Sequence, residues 1–202
     1  MAPKSYWVSD PRQIEAAGHP ARHDIIDRLV ALGPLSVRDL ATNLGRNVTS
    51  IYHHLKHLEK IGLVQSLTPE SNKRGRPHLL YKSIAPRIRL VRAAADPSLR
   101  APLAKWARVV GGQAAKEYIA GMSNPDAVFS GKQRNLLLGR GVTTASPERL
   151  AKINELMDAL TELILAPETT PGPLVSVGWF LSPLAQPSTG NAREKKKGKK
   201  RR

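Results

Sequence analysis

Residues 36–64 read S-V-R-D-L-A-T-N-L-G-R-N-V-T-S-I-Y-H-H-L-K-H-L-E-K-I-G-L-V. Two helix patterns follow each other here, separated by no more than three residues. Ser36 can cap the first helix and Gly45 can end it, while Asn47 can cap the second and Gly62 can stop it. Because the gap is so short, the two helices must cross sharply, and this stretch decides the fold.

The residues on either side predict two more helices and a hairpin. Asp10-Pro11 starts a short helix that should run to about Ala17, and His19-Pro20 starts another that Gly33-Pro34 ends. After Gly62, L-V-Q-S-L and H-L-L-Y-K-S-I read as strands, and P-E-S-N-K-R-G-R-P between them reads as a polar turn. We therefore predict a β-hairpin with a basic tip.

This order of elements is typical of one DNA-binding architecture. Helices followed by a hairpin, with a tight turn before a capped helix, predict a winged helix-turn-helix over residues 10–85. The whole chain should be mainly α with a small β part, which is an α+β fold.

The same region resembles the ArsR-type winged-helix transcriptional regulators. The resemblance spans residues 19–84, roughly a third of the chain. It implies that the helix at 47–61 enters the major groove of DNA, with its first half nearest the bases. It also implies that the basic wing at 69–77 meets the minor groove or the backbone. The segments that carry it are H-P-A-R-H-D-I-I-D-R-L at 19–29, S-V-R-D-L-A-T-N-L-G at 36–45 and T-S-I-Y-H-H-L-K-H-L-E-K-I-G-L-V at 49–64.

The charge of the chain indicates a polyanionic partner. The formal net charge is +16, and a chain this basic is expected to attract nucleic acid first and anionic membranes second. Residues 69–110 carry 10 basic and 2 acidic side chains, and residues 190–202 carry 8 and 1. The other two parts, residues 1–68 and 111–189, have net charges of only +2 and −1. We predict double-stranded DNA as the partner.

Composition argues against several other classes of protein. Cys is absent, which removes disulfides, Cys nucleophiles and the thiolate sites of the metal-sensing ArsR-type members. No apolar run approaches the ~20 residues of a membrane helix, and we find no signal-peptide pattern. We expect a cytoplasmic, nucleoid-associated protein. We also expect no enzyme, because we find no nucleophile elbow, phosphate-binding Gly loop or metalloprotease helix.

Helical geometry divides the helix at 47–61 into two faces. At about 100° per residue, Val48, Ile51, Leu55 and Leu58 form a core stripe. The opposite and flanking positions carry groups that bond base edges and phosphates: Thr49, Ser50, Tyr52, His53, Lys56, His57 and Lys60. The first four of these are candidates for base or near-base contacts, and Lys56 is a candidate for phosphate. The alternative is an ordinary solvated helix face.

The histidines raise the question of a metal. His54 lies beside the core stripe, so we predict packing for it. His53 with His57, or His19 with His23, could pair as ligands, and Asp24 or Asp27 could complete the second pair. Two imidazoles without a Cys or a well-placed carboxylate make a weak site, so we predict no metal and no cofactor.

Arginine and lysine recur in and after the predicted wing. Lys73, Arg74 and Arg76 surround Gly75, which permits a tip turn, and arginine suits a narrow minor groove or phosphates. The alternative is a solubilising turn. Three further arginines alternate with Ile and Leu and should extend the phosphate-binding surface: Arg87, Arg89 and Arg92.

Residues 86–183 are predicted to dimerise or to sense an effector. A helix at 97–121 should carry Leu99, Leu103, Trp106 and Val110 on one side. Ser146 should cap another helix, and strand candidates lie at 135–142 and 174–181. The second helix has a coiled-coil-like spacing at Ile153, Leu156, Leu160 and Leu163. Residues 184–202 should be a disordered basic tail.

These features together favour a homodimeric, sequence-specific transcriptional regulator. We expect a repressor rather than an activator. An unknown small-molecule effector is a further candidate partner. The rival hypothesis is a low-specificity architectural DNA-binding protein that depends on the wing and the tail. A winged helix used only for protein contacts would leave the basic surface unexplained.

Overall fold

Just over half of the residues that the structure describes are helical, with a few short strands, in agreement with the predicted α+β class. The computed structural model describes residues 5–67, 79–89, 95–166 and 172–184. Its elements follow in chain order: β1 (Tyr6–Trp7), α1 (Pro11–Ala17), α2 (Pro20–Leu32), β2 (Leu35–Ser36), α3 (Val37–Leu44), α4 (Val48–Lys60), β3 (Val64–Leu67), β4 (Leu80–Ser83), β5 (Ile88–Arg89), a 3-10 turn (Pro97–Leu99), α5 (Arg100–Gly121) and α6 (Pro147–Ile164).

The helix starts that local sequence predicted are confirmed by their caps. The Asn47 side chain accepts a hydrogen bond from the Thr49 amide at 2.8 Å. At α3, the Ser36 hydroxyl accepts from the Asp39 amide at 3.2 Å, and the Asp39 carboxylate accepts from the Ser36 amide at 3.1 Å. This reciprocal box satisfies two amides that would otherwise lack partners. Gly45 ends α3 with a φ of 58°, a left-handed conformation that glycine adopts without strain.

The predicted hairpin strands pair as expected, and one unexpected strand joins them. β3 and β4 run antiparallel, with Val64 opposite Ser83 and Leu67 opposite Leu80. β2 adds to the free edge of β4, giving the order β2-β4-β3. Two residues are too few for an alternation pattern, so the sequence held no signal for β2. The predicted basic tip, with Lys73, Arg74 and Arg76, lies outside the described residues.

A second small sheet brings the two ends of this region together. β1 and β5 pair in parallel, with Tyr6 opposite Ile88 and Trp7 opposite Arg89. The amide of Val8 donates to the Arg89 carbonyl at 2.9 Å. This pairing was not predicted, because it joins short segments about eighty residues apart in the chain.

The core lies under α4 and extends past both ends of the predicted 10–85 domain. Ile51, Leu55 and Leu58 of α4 are completely buried. From outside the predicted bounds, Val8 and Leu99 are buried in the same cluster, and Leu103 and Trp106 of α5 pack against it. The fully buried neighbours of α4 come from α1, α2, α3 and the sheet region: Ile14, Ile25, Leu40, Leu63 and Tyr81.

Two polar contacts inside this region orient α4. The buried amide of Gln13 donates to the carbonyl of Ile61 at 2.7 Å, directly after the last turn of α4. The buried carboxylate of Asp24 on α2 accepts from Arg46 at 2.7 Å, in the turn before α4. Both ends of α4 are therefore tied to the helices beneath it.

Both predicted C-terminal strands are wrong. Residues 135–142 and 174–181 have no regular secondary structure. The first segment is interrupted by Gly139 and Gly141, and its start is held in a loop: Asn135 accepts from the Val128 amide and donates to the Asp126 carbonyl. Alternating residues form a strand only when another strand offers a ladder, and the described residues offer none here.

The predicted helices at 97–121 and after Ser146 are confirmed, and they differ in their packing. Neither helix has a buried residue, but Leu103 and Trp106 of α5 pack against the core cluster, whereas α6 contributes no described residue to it. Within the described ranges, no helix is both long enough and apolar enough to span a bilayer.

The buried stripe of α4 predicts a large difference between two leucine variants. Leu55→Ala should lower the free energy of unfolding by about 2–5 kcal/mol, because it leaves a cavity in a closed core. Leu138→Ala should change it by less than about 0.5 kcal/mol, because that side chain is 73% exposed. Urea unfolding followed by circular dichroism measures both, and equal losses would contradict this account of the core.

Candidate nucleic-acid interface

One face of α4 is polar and open to solvent. All seven residues predicted to meet DNA from this helix are exposed: Thr49, Ser50, Tyr52, His53, Lys56, His57 and Lys60. They lie opposite or beside the buried stripe, because that stripe fixes how the helix is rotated. The result is a continuous surface of hydroxyl, imidazole and ammonium groups, which we call the α4 face.

Val48 was wrongly assigned to the core. It is 46% exposed, because it is the first residue of α4 and lies beyond the edge of the packed region. It borders a groove of about 390 Å³ between the start of α4, the start of α3 and β4. Periodicity gives the direction of a side chain but not where the core ends, so the sequence held no signal for the exposure of Val48. The groove is lined by Ser36, Val37, Arg38, Val48, Thr49, Tyr52, Leu79 and Tyr81.

Side chains in the middle of the α4 face contact one another. The Lys56 ammonium donates to the Glu59 carboxylate at 2.8 Å and lies 5.7 Å from the centre of the Tyr52 ring. The hydrogen bond from Lys56 lowers the pKa of Glu59, so this carboxylate stays charged at neutral pH. An anion that binds Lys56 must therefore compete with Glu59.

The three histidines of α4 divide as helical geometry predicted. His53 and His57 are exposed, whereas His54 is half-buried, with its ring centre 5.0 Å from that of His19 on the adjoining helix. Burial lowers the pKa of His54, and the neighbouring His19 adds to the effect. Burial also lowers the pKa of His19, with Arg22 contributing next. His19 and His54 thus form a neutral pair between α2 and α4.

The residues considered as metal ligands do not converge. His23 lies 3.4 Å from the Asp27 carboxylate, one turn along α2, whereas His19 contacts His54 instead. Nowhere in the described part of the chain do three His, Asp or Glu side chains come close enough to hold a metal ion.

Two of the three arginines after the hairpin pair with a carboxylate instead of lying open to solvent. Arg87 makes a two-pronged ion pair with Glu162 of α6. Arg89 lies 3.7 Å from the same carboxylate and 5.4 Å from the centre of the Trp7 ring. The acidic partner is 75 residues away in sequence, so no local pattern could reveal it. Arg92 lies outside the described residues.

Comparisons with known proteins match one segment of the chain to a family, but they indicate no activity. Residues 19–85 match the family HVO_A0114, about a third of the chain. Among solved structures, the crystal structure of RV1404 from Mycobacterium tuberculosis is similar, with 14% identity, coverage of 79% of this chain and 86% of that chain, and a TM-score of 0.30. A likeness that weak supports no argument about fold or function. No curated protein matches the sequence.

The pair of His19 and His54 predicts that acid destabilises the fold. Their pKa values are lowered from 6.5 in the folded chain, so the unfolded chain binds protons that the folded chain does not. Their contribution to stability is complete above pH 6.5 and is lost as pH falls through the lowered values. Urea unfolding at about pH 7 and about pH 5 should show a smaller pH dependence for the double variant His19→Gln with His54→Gln than for the parent. Equal pH dependences would contradict this.

Proposed function

We propose that this chain is a sequence-specific transcriptional regulator of the ArsR-like winged helix-turn-helix type, which binds double-stranded DNA. The observation that carries the proposal is the α4 face: seven exposed polar or basic side chains on a helix whose opposite stripe is fully buried. A helix presented in this way fits the major groove, which is about 12 Å wide.

The start of α4 has the chemistry for reading bases. Thr49 and Ser50 bring hydroxyl groups to the amino-terminal end of the helix, where the helix dipole also favours phosphate. Tyr52 and His53 follow on the exposed side and can bond base edges. Val48 adds an exposed apolar group, which suits contact with a thymine methyl. Lys56, His57 and Lys60 lie further along and suit the phosphate backbone.

The hairpin supports a wing beside this helix. β3 follows α4 directly, and the connection between β3 and β4 contains Lys73, Arg74 and Arg76. Arginine and lysine on such a connection bind a narrow minor groove or phosphates. The basic residues of 69–77 would then contact DNA next to the groove that α4 occupies.

The exposed stripe of α6 supports a homodimer. Leu156 and Leu163 are 60% and 74% exposed, and with Ile153 and Leu160 they repeat at coiled-coil spacing. Covering this stripe with a second copy would remove apolar surface from water. Two α4 faces about one DNA turn apart would then occupy neighbouring half-sites, and a regulator bound there would repress by blocking access to a promoter.

The charge distribution supports a second candidate function. Residues 190–202 carry 8 basic side chains and 1 acidic one, enough for strong binding without sequence preference. An architectural DNA-binding protein would rely on this segment and on the wing more than on the α4 face.

The α4 face predicts that threonine and histidine substitutions weaken specific binding. Thr49→Ala with His53→Ala should weaken binding by about 1–3 kcal/mol for each base that the variant no longer reads, on a duplex obtained by binding-site selection with the purified protein. Fluorescence anisotropy measures this. Thr144→Ala, at an exposed threonine in a loop, is the matched control and should bind like the parent. Unchanged affinity and sequence preference in the double variant would rule out α4 as the reading helix.

Deleting residues 190–202 separates the two candidate functions. For a specific regulator, the deletion should reduce the salt dependence of binding but keep most of the ratio between specific and non-specific affinity. For an architectural protein, the deletion should abolish most binding to any duplex. Anisotropy titrations at several salt concentrations, with selected and scrambled duplexes, measure both quantities.

A further inference from the structure

Two arginines border a cleft on the side of the molecule formed by β5, α2, α5 and α6. Arg87 and Arg89 are two residues apart on an extended segment, so their side chains leave on the same side. Both reach the carboxylate of Glu162. Arg87 is only 17% exposed and Arg89 30%, so both side chains are held in place by their surroundings.

The geometry around Glu162 is that of a carboxylate site. The two terminal nitrogens of Arg87 donate to the two oxygens of Glu162, one to each. This fork-to-fork arrangement matches guanidinium to a planar carboxylate and excludes most other groups. Arg89 adds a second positive charge at 3.7 Å from the Glu162 carboxylate, and its guanidinium also lies over the Trp7 ring.

A cleft of about 230 Å³ opens directly beside the two arginines. Ile26 and Val30 of α2 and Trp106 of α5 give it an apolar wall, and Thr161 and Leu165 border it from the α6 side. Its volume equals roughly eight water molecules, which limits a ligand to about one ring. Asp27 also lines the cleft, 3.4 Å from His23.

Glu162 is accessible to a competing ligand. Its side chain is 60% exposed, whereas that of Arg87 is only 17% exposed, so a competitor must reproduce the two-pronged contact with Arg87 to replace it. No side chain of α6 is buried, so little apolar packing holds the helix against the body. Another carboxylate with an apolar part for the cleft would keep the arginine contacts and add burial that Glu162 lacks.

We propose that Arg87, Arg89 and the adjoining cleft form a binding site for a small aromatic or branched monocarboxylate, and that Glu162 is its internal competitor. The ligand's carboxylate replaces that of Glu162 on Arg87, and its apolar part enters the cleft against Trp106. Ligand binding therefore breaks the ion pair between Arg87 and Glu162 and loosens α6 on the body of the protein.

Calorimetric titration of the full-length chain tests this with benzoate as probe and benzamide as its uncharged analogue, at constant ionic strength. Benzoate should bind and benzamide should not. Glu162→Gln should tighten benzoate binding by roughly twofold or more, because the two-pronged pair of Glu162 with Arg87 no longer competes. Glu155→Gln is the matched control: it removes another α6 carboxylate, one that pairs with Lys152 at 2.9 Å, and should leave benzoate affinity unchanged. Arg87→Met with Arg89→Met should abolish binding.

Hydrogen exchange gives a second readout. Benzoate should speed amide exchange in residues 147–164 of the parent, whereas benzamide should not. The proposal is overturned by absent benzoate binding to both the parent and Glu162→Gln, by equal binding of benzamide, or by equal affinities of Glu162→Gln and Glu155→Gln. Comparing the benzoate affinities of Glu162→Gln and Glu155→Gln tests the proposal even where the arginine double variant does not fold.

Discussion

The burial of the apolar stripe on α4 is the constraint on which the rest of the structure depends. Ile51, Leu55 and Leu58 are fully buried. Burying one face of a helix fixes its rotation about its own axis, and so fixes which residues face solvent on the other side. Each residue on the opposite side is therefore exposed as a consequence of packing, whatever its role. The bond from Gln13 to Ile61 and the pair of Asp24 with Arg46 then fix the two ends of the same helix.

The ion pair between Asp24 and Arg46 holds the turn before α4 in place, although burying its carboxylate is unfavourable in itself. Asp24 is buried on α2, and a buried carboxylate is tolerated only when it is paired. Its partner Arg46 lies in the turn between α3 and α4, so the turn cannot move away without leaving the buried charge unpaired. The crossing of α3 and α4, which the proposed DNA contact requires, is thus specified by electrostatics as well as by apolar packing.

Local chemistry explains which features could be predicted from the sequence. The starts of α1, α3, α4 and α6 were predictable because a cap needs only neighbouring residues, as at Ser36 and Asn47. The strands that were predicted at 135–142 and 174–181 are absent, because a strand depends on a partner elsewhere in the chain that the local sequence does not reveal. The exposure of Val48 and the partners of Arg87 and Arg89 also depend on distant parts of the chain. The exposure of the α4 face was predictable, since periodicity and three buried apolar residues suffice to orient a helix.

One helix touches both proposed sites, and this restricts how they can be linked. α2 presents Ile26 and Val30 to the cleft, while Ile25 and Asp24 face the core and the turn before α4. A ligand in the cleft can therefore act on the α4 face by shifting α2, or it can act on pairing of two copies by releasing α6. The first route must disturb a closed core and a buried ion pair, whereas the second breaks an ion pair whose carboxylate is 60% exposed, on a helix with no buried residue. The energetics favour the second, so a ligand would change the spacing of two α4 faces rather than the shape of either.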